Sequence, residues 1–421
     1  MFHKTVLDNN THILVENVPH VRSVAVGFWV DVGSRYEVDE NNGVSHFIEH
    51  LLFKGTEKRT AKQIAEALDA VGGQLNAFTT KEYTCYYARV LDEHFELAVD
   101  LLSDMLFNSK FAQEEIDRER NVIIEEIKMY EDAPDELVHD IFAGSMWQGN
   151  ALGRPIIGTA EVIESITRDQ ILEFYHDHYK PGNLVLTVAG NIDQTLATDR
   201  LRQIVDSKSG QVPERSIIIP APVRNVVCRN KDTEQVHLCV GTQGVSLEDK
   251  NYYNFQVLNT VLGGGISSRL FQEIREQRGL VYSVYSYHSS YRDTGLFCVY
   301  AGLSKQNVDE VLELVFKQIE DIRVNSVTAD ELQRAKDQIK GNLLLSLESV
   351  SSRMSRLGKS QLYLGRVISP DEVVEKLNKV SLADIQELAK SMLSPDKFSM
   401  ATIGPWNDSD LLGKVLDKYK A

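Results

Sequence analysis

Residues 112–130, AQEEIDRERNVIIEEIKMY, repeat their apolar positions at helical spacing. Steps of about 100° per residue from Glu126 gather Ile116, Glu119, Val122, Ile123, Ile127, Met129 and Tyr130 on one side. Asp117, Arg118, Arg120, Asn121, Glu125 and Lys128 fall on the other, with Ile124 the exception. Such a stripe predicts a helix packed on a core. Glu119 and Glu126 stand inside it, seven residues apart. Either they are buried, and then need a metal or a hydrogen-bonded network, or the stripe ends in solvent and both are wet. Glu125 reads as a solvated surface residue. Elsewhere the period shortens: SVAVGFWVDV (23–32) and VHLCVGTQGV (236–245) predict antiparallel strands with helices on one face.

The pattern also repeats at long range. TRDQILEFYHDHYKPGNLVLTVAGN (167–191) parallels SLADIQELAKSMLSPDKFSMATIGP (381–405), with Pro181 over Pro395 and Gly190 over Gly404. AEALDAVGGQLNAF (65–78) parallels LFQEIREQRGLVYSV (270–284), with Gly73 over Gly279. A duplication predicts an α+β chain of two homologous domains, each an antiparallel sheet packed with helices. The 421 residues suit two domains rather than one core. The expected boundaries are 1–206 and 224–421, joined by a proline-rich linker at 207–223.

Chemistry enters at residues 46–50, HFIEH. On a helix, His46, Glu49 and His50 fall within an arc of roughly 100°. Two neutral imidazoles at this spacing suit a tetrahedral zinc, and the carboxylate suits a base acting on water. This is the inverted zincin order, H-x-x-E-H. An amphipathic helix whose histidines merely share a face would look the same. A catalytic zinc needs a third protein ligand, and the stripe of residues 112–130 offers carboxylates for it.

HFIEH, followed 76 residues after His50 by Glu126 in ERNVIIEE, resembles the pitrilysin/insulinase and mitochondrial processing peptidase family. The resemblance implies that His46, His50 and Glu126 bind one zinc ion per chain. It makes Glu49 the general base and Glu119 a supporting residue that affects catalysis. GGQLNAFTTKEYTCYYARV (72–90) is similar to the family's substrate strand, with Asn76 and Ala77 where its backbone pairs with an extended peptide. LGRPIIGT (152–159) is similar to the processing-peptidase branch and its bacterial two-domain members.

The second copy lacks these donors. Asn254, Val257 and Leu258 stand where the first has His46, Glu49 and His50, and Ala335 and Asn342 replace Glu119 and Glu126. In REQRGLVY (275–282), the resemblance places Arg275 and Tyr282 as contacts to the bound peptide. It implies that they act across a homodimer, on the zinc domain of the partner. Without it, Arg275 reads as a surface ion-pair residue and Tyr282 as core.

Composition narrows the classes. A net charge of −16 argues against nucleic acid. It favours basic peptides through long-range attraction, or reflects solubility alone. No apolar run approaches a membrane span, and the start shows no signal or transit pattern, so a bacterial cytoplasmic setting is expected, with a processed organellar matrix protein the alternative. Cys85, Cys228, Cys239 and Cys298 are widely spaced and read as reduced core residues, not as a metal site. His139, after Pro134, has no expected catalytic role. The expected activity is zinc-dependent endopeptidase action on unfolded peptides or presequence-like segments. The rival expectation is a non-catalytic scaffold or partner subunit.

Overall fold

The structure, a computed structural model, describes residues 2–213, 215, 217–406, 412–414 and 418. Two compact α+β units make up the chain. The first comprises Met1–Lys128, Arg154–Ile217 and Leu345–Val367. The second comprises Met129–Gly153, Ile218–Leu344 and Ile368–Ala421. Neither unit is continuous in sequence. Residues 209–213, 215 and 217–225 form no helix or strand.

The first unit is built on β1 (Phe2–Val6), β2 (His12–Asn17), β3 (Ser23–Val30), β4 (Gln74–Thr79), β5 (Thr84–Leu91) and β6 (Leu184–Gly190), ordered β1-β2-β6-β3-β5-β4. The second contains β7 (Val226–Asn230), β8 (Val236–Gly244), β9 (Val281–Ser290), β10 (Gly295–Leu303) and β11 (Ser399–Gly404), ordered β7-β11-β8-β10-β9. From β2 onward the two orders correspond strand for strand, as duplication predicts. Gly190 and Gly404 close equivalent strands at φ of 151° and 153°, where a side chain would be strained.

Residues 23–30 and 236–244 pair antiparallel on both sides, as expected, and each otherwise antiparallel sheet carries one parallel pair, β2 with β6 and β7 with β11. Parallel neighbours need a long crossover, and well over a hundred residues separate each pair.

One departure is large. Helices were expected on one face of each sheet, but β3 is buried on both. On one side Val24, Val26, Phe28 and Val30 join the main core with Phe47 and Leu102. On the other, Ala25 and Trp29 pack with Val350, Met354 and Leu357 of the helix Val350–Leu364. That helix comes from the second half of the sequence. Glu16 on β2 anchors it through Arg353 at 2.7 Å and Arg356 at 3.4 Å. The approach is close enough to require Gly358, where an added Cβ would lie 2.2 Å from the Trp29 ring. Reciprocally, the helix Pro134–Met146 from the first half covers β8 and β11 in the second unit. Its Val138, Phe142 and Met146 pack with Cys239, Cys298 and Ile403.

Candidate metal centre

HFIEH lies in the helix Val44–Leu51. Val44, Phe47, Ile48 and Leu51 fill the core, which leaves His46, Glu49 and His50 on the half-buried face. The helix starts on Gly43 at φ 100°. Buried Glu37 receives the first free amides, Gly43 N–H at 2.7 Å and Ser45 N–H at 2.8 Å, together with Asn42 Nδ2 at 2.8 Å. A carboxylate is favoured at a helix N-terminus, although burial raises the Glu37 pKa against these hydrogen bonds.

The third donor comes from the helix Gln113–Glu131. Its stripe is narrower than the periodicity predicts. Ile116, Glu119, Ile123 and Ile127 are buried, but Val122 and Met129 are exposed and Tyr130 is half-buried. The core contact follows the i, i+3/i+4 line through these buried positions, and the flanks of the arc extend past it. Glu126 sits at the edge with its side chain 37% exposed. Glu125 faces solvent, paired with Lys128.

His46, His50 and Glu126 converge. Their donor atoms all lie within 4.8 Å of one another. Glu126 Oε1 is 3.9 Å from His46 Nε2, and Oε2 is 3.6 Å from His50 Nε2. Burial, with the nearby His50, lowers the His46 pKa to about 3, so the ring is neutral and its lone pair available. His46 Nδ1 is buried with no hydrogen-bond partner among the described residues.

Glu119 bonds His50. Its Oε2 stands 3.2 Å from His50 Nδ1, which therefore donates its hydrogen and leaves Nε2 free for a ligand. Lys54 Nζ holds Oε1 at 2.8 Å. The Glu119 side chain is 3% exposed, so the two partners account for a buried carboxylate.

Glu49 faces β4. Its Oε2 accepts a 2.5 Å hydrogen bond from Thr79 Oγ1. Burial raises the Glu49 pKa, opposed by Thr79 and His50 and reinforced by Glu126. Asn76 and Ala77 lie on the same strand, opposite Tyr87 and Tyr86 of β5. β4 is the outer strand of its sheet, paired only with β5 among the described strands. Asn76 Oδ1 accepts from Ala77 N–H at 2.8 Å.

Arg275 and Tyr282 belong to the second unit. Arg275 lies in the short helical turn Phe271–Glu276 and Tyr282 near the start of β9. The guanidinium stands over the Tyr282 ring, 5.4 Å from its centre, and Tyr282 is 76% exposed. The side chain is thus at the surface, not in the core. At the positions equivalent to the first unit's donors, Val257, Leu258 and Ala335 are buried, and Asn254 Nδ2 donates to Asn251 Oδ1 at 3.0 Å.

Sequence reasoning missed Glu37, Lys54 and Thr79. For Thr79 a signal existed: it shares β4 with Asn76 and Ala77. The other two carry no periodic signature.

Residues 12–160 match the family described as Insulinase (Peptidase family M16), and residues 165–339 match the Peptidase M16 inactive domain. The uncharacterized zinc protease YmxG of Bacillus subtilis is 44% identical over 405 residues, spanning 96% of this chain and 98% of its own length. The chain belongs to the insulinase, or M16, peptidase family. Within that family, an uncharacterized zinc protease of Streptomyces coelicolor is likewise 44% identical, over 96% of this chain and 90% of its own. Among solved structures, a protease from Helicobacter pylori aligns with a TM-score of 0.90 at 20% identity, over 96% of this chain and 100% of that one. A peptidase M16 inactive domain from Pseudomonas fluorescens gives the same score and identity over 97% and 98%. At that identity these two structures bear on the fold alone. No helix among the described residues is long and apolar enough to cross a membrane.

Proposed function

We propose that the chain is a zinc-dependent endopeptidase acting on extended, unfolded peptides. The carrying observation is the convergence of His46, His50 and Glu126, with Glu49 on the same helix face and tied to an outer strand. Two imidazoles and one carboxylate fit zinc and leave a fourth position open. The Glu126 oxygens, 3.9 and 3.6 Å from the two imidazole nitrogens, stand near the ~3.3 Å spacing of neighbouring ligands on a tetrahedral zinc. Zinc held there supplies Lewis acidity toward a scissile carbonyl and toward water. Glu49 takes the proton of the attacking water and delivers it to the leaving amine. Glu119 keeps His50 in the ligating tautomer.

The substrate adds to β4 as a further strand, with its backbone beside Asn76 and Ala77. Asn76 Oδ1 already satisfies Ala77 N–H, standing where a peptide carbonyl would bond. A strand that must be extended excludes stably folded substrates. The net charge of −16 supports a preference for basic segments. The resemblance of LGRPIIGT supports the processing-peptidase-like branch, and the bacterial relatives support a bacterial source, for which we infer a cytoplasmic setting.

Glu49→Gln tests the chemistry. The amide cannot take a proton, so the variant should keep its zinc by elemental analysis and lose ~10²–10⁴ of the cleavage rate on an unstructured peptide. Near-normal turnover would refute the assignment.

The resemblance also supports a homodimer in which Arg275 and Tyr282 of one chain serve the zinc unit of the other. A guanidinium and a phenol are suitable donors to a peptide oxygen that gains charge. Mixing inactive Glu49→Gln with inactive Tyr282→Phe should then restore activity, since a mixed dimer holds one site free of both lesions. Subunit exchange without recovery contradicts the arrangement.

A further inference from the structure

We propose a second metal site, built by His139, Cys239 and Cys298 on the face of the second unit's sheet and taking a thiophilic divalent ion such as zinc. It is independent of the first centre. The donor atoms of the three residues lie within 4.8 Å of one another. They are far apart in sequence, and the exchanged helix brings them together.

Cys239 is on β8 and Cys298 on β10. In the register Cys239 faces Tyr300 and Cys298 faces Gly241, so the cysteines are diagonal neighbours on one sheet face. Both are 0% exposed. The helix Pro134–Met146 lies over them. Gly241 permits its approach, for a Cβ there would meet the Phe142 ring at 2.8 Å. One turn before Phe142, His139 comes down onto the sulfurs, its Nδ1 3.4 Å from Cys239 Sγ.

The geometry suits coordination. Zn–S near 2.3 Å and Zn–N near 2.0 Å in a tetrahedron put sulfur and nitrogen about 3.6 Å apart. The ring is also held in the required sense. Its Nε2 lies 3.3 Å from Tyr285 Oη, which can accept Nε2–H and so leave the Nδ1 lone pair for an ion. Tyr287 Oη, 2.7 Å from the same Nδ1, makes a hydrogen bond to it that a bound ion would displace, and the fourth position is left to water. Two thiolates neutralise a divalent charge, which suits a buried position. His139 is half-buried and Tyr285 is 37% exposed, which gives the ion a way in from solvent. A disulfide fits less well. Diagonal neighbours stand roughly 7–8 Å apart, beyond the usual Cα separation for a bridge.

Such an ion would tie the helix from the first half of the chain to two strands of the second. Its role is therefore to hold the exchanged helix in place.

Cobalt(II) titration of the metal-free, reduced, full-length chain tests the site. The first centre has no sulfur ligand, so thiolate-to-cobalt charge-transfer absorption in the near ultraviolet reports on this one alone. The band should grow to saturation at one ion per chain. It should persist in Glu126→Gln and disappear in the Cys239→Ser/Cys298→Ser double variant. Elemental analysis of the zinc-loaded native chain should find two ions per chain. The titration of the native chain needs no variant to fold. Saturation with cobalt without that band overturns the site. So does a band that survives loss of both cysteines, or a native chain in which Cys239 and Cys298 are found joined in a disulfide.

Discussion

Glu119→Gln isolates the contribution of a residue that touches neither substrate nor the proposed ion. The native carboxylate, 3% exposed, accepts from His50 Nδ1 at 3.2 Å and from Lys54 Nζ at 2.8 Å. Glutamine has the same size but one acceptor oxygen for these two donors. If that oxygen stays with His50, the amide NH2 faces the Lys54 ammonium, donor against donor. If it turns to Lys54, His50 loses the acceptor that fixes its tautomer. A hydrogen bond to a charged group contributes about 1.5–3 kcal/mol. At about 1.4 kcal/mol per tenfold, that corresponds to ~10–100-fold in zinc affinity, the range found when the outer partner of a ligating histidine is changed. Competition of the full-length variant against a zinc-binding dye measures this directly. Adding Lys54→Met removes the donor conflict and should recover part of the loss. Unchanged zinc affinity in Glu119→Gln would show that Glu119 does not orient His50.

Two further outcomes follow from the same geometry. Glu126→Gln should lose zinc while Glu125→Gln keeps it, because Glu126 alone of the two meets the histidines; elemental analysis with the reverse pattern would refute the ligand assignment. In the second unit, burial would raise the Glu331 pKa, but Arg269, bound at 2.6 and 2.8 Å, and Thr328 N–H outweigh it and bring it down to about 2. A lowered carboxylate pKa stabilises fully above the ordinary value of 4.5 and loses that contribution as pH falls toward 2. Acid unfolding of Glu331→Gln should therefore be less steep across that window than that of the native chain, and equal slopes would rule the pair out.

Much of the first centre is legible in the amino-acid sequence alone. His46, Glu49 and His50 share a face because the helical period is local, and one helix of eight residues suffices to present them. The choice of Glu126 over Glu125 also rests on phase within one helix. The duplication is written in the chain as well, through Pro181 and Pro395 and through Gly190 and Gly404, whose backbone conformations the glycines permit.

The remainder depends on neighbours distant in sequence. The outer position of β4, which leaves no further described strand beside Asn76 and Ala77, follows from sheet order and not from its own residues. Val122 and Met129 lie in the apolar arc yet face solvent, because the width of the core contact is set by what packs against the helix. Tyr282, one candidate for the core, lies at the surface beside Arg275. Most of all, nothing local announces that Val350–Leu364 and Pro134–Met146 pack on sheets formed mainly by the other half of the sequence. Periodicity shows that a helix has an apolar face; it does not name the surface that will cover it, since burial is non-directional and many apolar faces would serve. The exchange is decided by close fit, Gly358 against Trp29 and Gly241 beneath Phe142. The same fit sets His139 beside two cysteines that stand a hundred residues or more further along the chain.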